Sequence, residues 1–148
     1  MPVAEREALT GLITMLLVAV LFIWRLSGQE EAGLFDGPDA LQAWARSVLV
    51  LIGLSIGIAI AVSIVFHIAY TAITGEKPDE RRDERDHHIA RRALTWGWYI
   101  LSFGLMGVII DLALGASAFR AMNLVLILCA GSELFKDAVT VWLYRRSA

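Results

Sequence analysis

Charge and cysteine are both scarce in this 148-residue chain: 19% of residues are charged and Cys129 is the only cysteine, whereas an ordinary soluble domain is about 25% charged. One thiol excludes a disulfide scaffold. The formal net charge of −2 leaves no basic surplus to hold a phosphate backbone, so a nucleic-acid partner is not expected. Equally absent are a phosphate-binding glycine loop, a nucleophile elbow, a His-Glu-x-x-His pair and a Cys-x-x-Cys pair. With them go the usual signs of an enzyme, and no cofactor is expected. Apolar residues are in excess, at 57% of the chain. A soluble fold of this size buries only about 70% of its unfolded surface, so the surplus must lie against something other than water. A lipid bilayer is the expected surrounding, and so high an apolar content also excludes a disordered chain.

Four uncharged or nearly uncharged runs carry the surplus. Leu9 to Trp24 has no charge, and its 16 residues rising 1.5 Å each cover about 24 Å, most of a ~30 Å hydrocarbon core. Glu5, Arg6 and Glu7 before it are not the positive flank of a cleaved signal peptide, so a retained helix is expected. Ser47 to Thr74 is longer than a bilayer needs. Asp36-Gly37-Pro38-Asp39 upstream has the capping acid and proline of a helix start, so this helix should begin before it enters lipid. Ala93 to Leu114 and Ala121 to Tyr144 complete the set. Gly115 to Arg120 alone turns between them, which makes the two antiparallel neighbours. The expected fold is all-α: one integral membrane domain over residues 1–148, a bundle of four transmembrane helices.

Arginine and lysine assign the sides. Arg6, Lys77, Arg81, Arg82, Arg85, Arg91, Arg92, Arg145 and Arg146 fall on one side and only Arg25, Arg46 and Arg120 on the other, so both termini are expected in the cytoplasm. Trp24 and Trp44 fall at the outer boundary and Tyr70, Trp96, Trp98, Trp142 and Tyr144 at the inner one, where amphipathic rings prefer to sit. In the second run Gly53, Gly57 and Ala61 recur at helix-packing spacing, beside a stripe of Ser55, Ala59 and Ser63. Such a face lets two backbones approach closely, and packing within the chain is the favoured reading.

The fourth run holds the most informative pattern. Cys129, Ser132, Glu133, Lys136, Asp137 and Thr140 are spaced to share one helix face. Each charge at a helix centre costs about 2.5–3.5 kcal/mol on insertion scales, so three must pair or meet water. Glu133 and Lys136 can pair. Asp137, adjacent to Lys136 and turned about 100° from it, needs another partner. His67, at a matching depth in the second run, is the candidate, giving a cluster of Glu133, Lys136, Asp137 and His67. A proton or cation pathway would use such residues, but a static network that holds helices together is the favoured alternative. Asp111 is read as a boundary residue that reaches Arg120.

Residues 75–92 form a charged cytoplasmic segment between the second and third helices, with six acidic and six basic residues. Pro78 followed by acids marks a helix start, so the third helix is expected to begin in the cytoplasm, with Arg91 and Arg92 at the headgroups. The pairs Asp83 with His87 and Glu84 with His88 are four apart, a spacing at which a carboxylate and an imidazole can share a metal. Two ligands per pair fall short of the three or four of a zinc site, and a solvated, ion-paired face is the favoured reading.

The stretch Asp83-Glu84-Arg85-Asp86-His87-His88-Ile89-Ala90-Arg91-Arg92-Ala93 opening a helix, with Tyr144-Arg145-Arg146 closing the last one, resembles a family of small, uncharacterised prokaryotic membrane proteins that carry an acid-Glu-Arg motif before the third helix. The resemblance implies a multi-pass protein of the cytoplasmic (inner) membrane and brings no activity or catalytic residue with it. The expected function is that of an accessory or regulatory membrane component acting through protein contacts, as a homo-oligomer or within a larger membrane complex. A small oligomeric proton or cation transporter ranks second, and a metal-dependent membrane enzyme well below both.

Overall fold

Apolar runs without internal proline can satisfy their backbone in lipid only as helices, and the computed structural model, which describes residues 3–75 and 84–146, consists of four. They are α1 (Val3–Glu31), α2 (Ala40–Thr74), α3 (Glu84–Ala113) and α4 (Ala118–Arg146). At 29 to 35 residues each is longer than the run that announced it. Asp39 occupies the position before α2 without a side-chain capping bond, and α2 starts at Ala40, several residues before its uncharged stretch. Pro78 lies outside the described residues, so the described part of α3 begins at Glu84.

The helices stand in a row, in the order α2, α1, α4, α3. α4 packs along α3 and α1, and α1 packs along α2; α1 with α3 and α2 with α4 meet only briefly, and α2 and α3 do not pack together. Short connections and close backbones set this arrangement. Gly115, at φ +97°, takes a left-handed conformation that a side chain would strain, and it reverses the chain between α3 and α4 within four residues. The two helices then keep one antiparallel register along their whole length. Arg120 meets Asp111 at 3.0 Å beside the turn, the Leu128 side chain covers Gly104, Gly97 faces Ser132 and Lys136, and Tyr144 reaches Asp86.

At the opposite end of the helices, beside the 32–39 connection, Phe35 packs tilted and Trp44 edge-on against Phe119, with centroids 5.7 and 6.3 Å away. The Trp44 indole N–H donates to Asn123 at 2.9 Å. Trp44 and Tyr144 are 4% exposed and serve as packing residues, because each has a polar partner on another helix for its polar tip.

Little of the chain is buried. Large apolar side chains face outward along every helix, among them Ile23, Leu49, Phe103 and Ile127. In water each such residue forgoes about 1.5–3 kcal/mol that burial would supply; in hydrocarbon it loses nothing. Among the described residues three helices are long and apolar enough to cross a membrane: α1 over Glu5–Glu31, α2 over Ala40–Ile73 and α3 over Glu84–Ala113. The expectation of four such segments is therefore met by three on composition. α4 falls short because Arg120, Asn123, Glu133, Lys136 and Asp137 interrupt its apolar length.

The glycine face of α2 corrects a second expectation. Among the described residues, a Cβ added at Gly53 or Gly57 would meet nothing within 4 Å, so these glycines do not pack on α1, α3 or α4. α2 turns Trp44, Val48 and Leu51 inward instead, at spacings of four and three, and Gly53 and Gly57 fall outside that stripe.

Candidate functional site

The polar residues of α4 sit at the middle of the row, where α1 lies on one side and α3 on the other. Two glycines allow the approach. At Gly97 a Cβ would stand 3.4 Å from the Ser132 carbonyl oxygen and from the Lys136 side chain, so α3 presses its backbone against this part of α4. At Gly11 a Cβ would overlap the Asp137 carboxylate, so α1 is close only because this position has no side chain.

Glu133, Lys136 and Asp137 form one charged cluster. The Lys136 ammonium donates to Glu133 Oε2 and stands 3.7 Å from Asp137 Oδ1. Lys136 thus serves both acids, where sequence spacing alone assigned it only the first; its long stem swings the ammonium between residues whose Cβ atoms diverge. Asp137 is the more enclosed acid, with 17% of its side chain exposed, and Glu133 the more open, at 52%. Ser132 and Thr140 are buried beside them and donate back to carbonyls of their own helix, at Cys129 and Lys136. Cys129 is exposed.

Two grooves flank the cluster. Toward α3, Glu133 and Lys136 border a space of about 150 Å³ with Gly97 and Trp98. Toward α1 and α2, Glu133 and Asp137 border one of about 410 Å³ with Thr10, Thr14, Ser55 and Ala59. Glu133 is common to both. One ammonium between two carboxylates leaves a formal charge of −1 when all three are ionised.

His67 is not brought to this cluster. Its depth is close to that expected, since Tyr70 three residues on takes the Arg6 guanidinium over its ring at 5.4 Å and Gly11 lies five residues beyond Arg6. The face is wrong, however: α2 packs on α1, and the exposed imidazole has Nδ1 2.8 Å from the Ser63 carbonyl of its own helix. Of the two candidate metal pairs, Asp83 lies outside the described residues, while Glu84, His87 and His88 are exposed on the first turns of α3. Among the described residues no three His, Cys, Asp or Glu side chains gather as metal ligands do.

Two buried charges were not legible as such. Asp86, counted within the solvated charged segment, is 4% exposed and accepts a hydrogen bond from the Tyr144 hydroxyl, with the Arg85 guanidinium 5.9 Å over the same ring. Arg6 is also 4% exposed. The signal for Asp86 was present: Asp86, Ile89, Ala93 and Gly97, spaced by three, four and four, are the buried stripe of α3, and the aspartate is in phase with it.

No family model matches this chain, and neither a curated protein nor a solved structure is similar to it.

Proposed function

We propose that this protein is a multi-pass component of a prokaryotic cytoplasmic membrane that works by assembling with other membrane helices, as an accessory or regulatory subunit. In this reading all four helices cross the bilayer and both termini face the cytoplasm. α4 is tolerated in lipid because α1 and α3 flank its charged face and Lys136 neutralises an acid. The basic residues gathered at the Tyr144 end of the row support the orientation, and the resemblance of residues 83–93 supports the prokaryotic membrane.

The observation that carries the assembly reading is the open glycine face of α2. Gly53 and Gly57 are spaced for close helix contact, yet among the described residues none comes within 4 Å of a Cβ placed at either, and α2 is an end member of the row. The test is purification of the intact protein in mild detergent, with mass spectrometry of what accompanies it, beside a Gly53→Ile/Gly57→Ile variant. A defined complex or homo-oligomer that the double variant loses supports assembly through α2. An identical complex with the variant, or a monomer in both, refutes it.

A second reading, proton or cation movement, is favoured by one feature: Glu133 and Asp137 share a groove with the hydroxyls of Thr10, Thr14 and Ser55. Proteoliposomes loaded with a pH-sensitive dye decide it. Flux that Glu133→Gln abolishes, at unchanged protein abundance, would favour this reading over assembly.

A further inference from the structure

We infer that the cytoplasmic end of the α3 and α4 pair holds an anionic phospholipid, its phosphate between Arg92 and Arg146 and one acyl chain along the groove below them. The inference rests on the membrane placement proposed above but not on either function. On one side of the packed pair here lies a groove of about 740 Å³, within the roughly 300–1,000 Å³ range of small-molecule sites. Its lining changes character along its length. Phe135 and Val139 supply an apolar floor toward the bilayer centre, Trp96 and Trp142 stand at the middle, and Arg92 and Arg146 cap the end. Phe135 and Arg146 are eleven residues apart on α4, about 16 Å of helix, so the change follows the depth of one leaflet.

Charge complementarity selects the occupant. Arg92 and Arg146 come from positions far apart in sequence and border the same groove, and among the described residues neither has a carboxylate within ion-pair distance. The Arg146 guanidinium lies 5.2 Å over the Trp142 ring, which holds it at the groove mouth. On the other side of Arg92 and Trp96, a shallower groove of about 350 Å³ adds Arg91 and His88. Cations over aromatic and apolar walls at the cytoplasmic level suit a lipid phosphate with net negative charge. A zwitterionic headgroup would bring its own cation into the same place, and a free phosphate would leave the apolar floor unused.

The test is native mass spectrometry of the full chain in detergent, with phosphatidylglycerol and phosphatidylcholine of matched acyl chains. Retention of one phosphatidylglycerol under activation that strips phosphatidylcholine is expected, with about tenfold weaker retention in Arg92→Gln/Arg146→Gln. Arg145→Gln, one residue from Arg146 and exposed outside the groove, should retain the lipid as the parent does. Quenching of tryptophan fluorescence by brominated phosphatidylglycerol, lost in Trp96→Phe/Trp142→Phe, gives the location independently of the arginines. Equal retention of both lipids, equal loss in Arg145→Gln, or displacement by millimolar inorganic phosphate alone would each overturn the site. Release of the protein from membranes by alkaline carbonate would sink the membrane placement as well, whereas a membrane-retained protein without lipid preference sinks only this site.

Discussion

Asp137 and Gly11 depend on each other: the carboxylate occupies the space that a side chain on α1 would need. Gly11→Ala should therefore force α1 from α4 and lower stability by about 1–3 kcal/mol, as overpacking does, read as a fall in melting temperature in detergent. In an Asp137→Ala background the same change should cost much less, and an equal cost in both backgrounds would show that the contact does not govern the approach. Asp86 makes a comparable case at the cytoplasmic end. Tyr144→Phe removes a hydroxyl donor from a buried carboxylate, a loss of about 1–3 kcal/mol. Asp86→Asn/Tyr144→Phe should then fall short of the sum of the single losses, because the two residues share one interaction. Both pairs turn on a polar atom enclosed by a neighbouring helix, which the identity of the residue alone does not disclose.

Among the helices, the same substitution should have opposite consequences according to which neighbour a glycine faces. Gly97→Leu on α3 must push against the Ser132 carbonyl and the Lys136 side chain, at a cost of about 1–3 kcal/mol. Gly53→Leu on α2 meets open space within the single chain, and it replaces a residue that weakens a helix by up to about 1 kcal/mol, so melting of the dissociated monomer should stay level or rise, whatever the change does to assembly. A stability loss in the monomer matching that at Gly97 would mean that α2 packs through its glycine face within its own chain. The contrast explains how far the helix faces were legible. The spacing of Gly53 and Gly57 identified a face built for close approach, but a lone sequence does not say which of two apolar faces its own chain will cover. For α2 the covered one begins with Trp44, because its indole finds Asn123 across the row.

For the whole molecule, the row of four helices with basic residues at one end predicts a topology. A cysteine at exposed Asp36, placed in a Cys129→Ser background, should react with a membrane-impermeant maleimide added to intact cells. Reaction only after permeabilisation would invert the arrangement. The row also accounts for the large apolar exterior: α2 and α3 do not close on each other, so each helix keeps a wide face that only lipid or another protein can cover.

Periodicity and composition by themselves determined that the chain is helical, roughly where its four helices run, that α3 and α4 are antiparallel, and that Glu133, Lys136 and Asp137 share a face, since these follow from spacing along a single helix and the length of one turn. They also made α4 the odd helix, through those same charges. Tertiary structure alone decided that His67 stands apart from the cluster, that Lys136 serves both acids, that Arg6 is buried, and that Arg92 and Arg146 share a groove. Each of these is a relation between helices, set by which faces meet and how closely glycine lets them approach, and a helix carries its own 3.6-residue period without recording its neighbour's rotation.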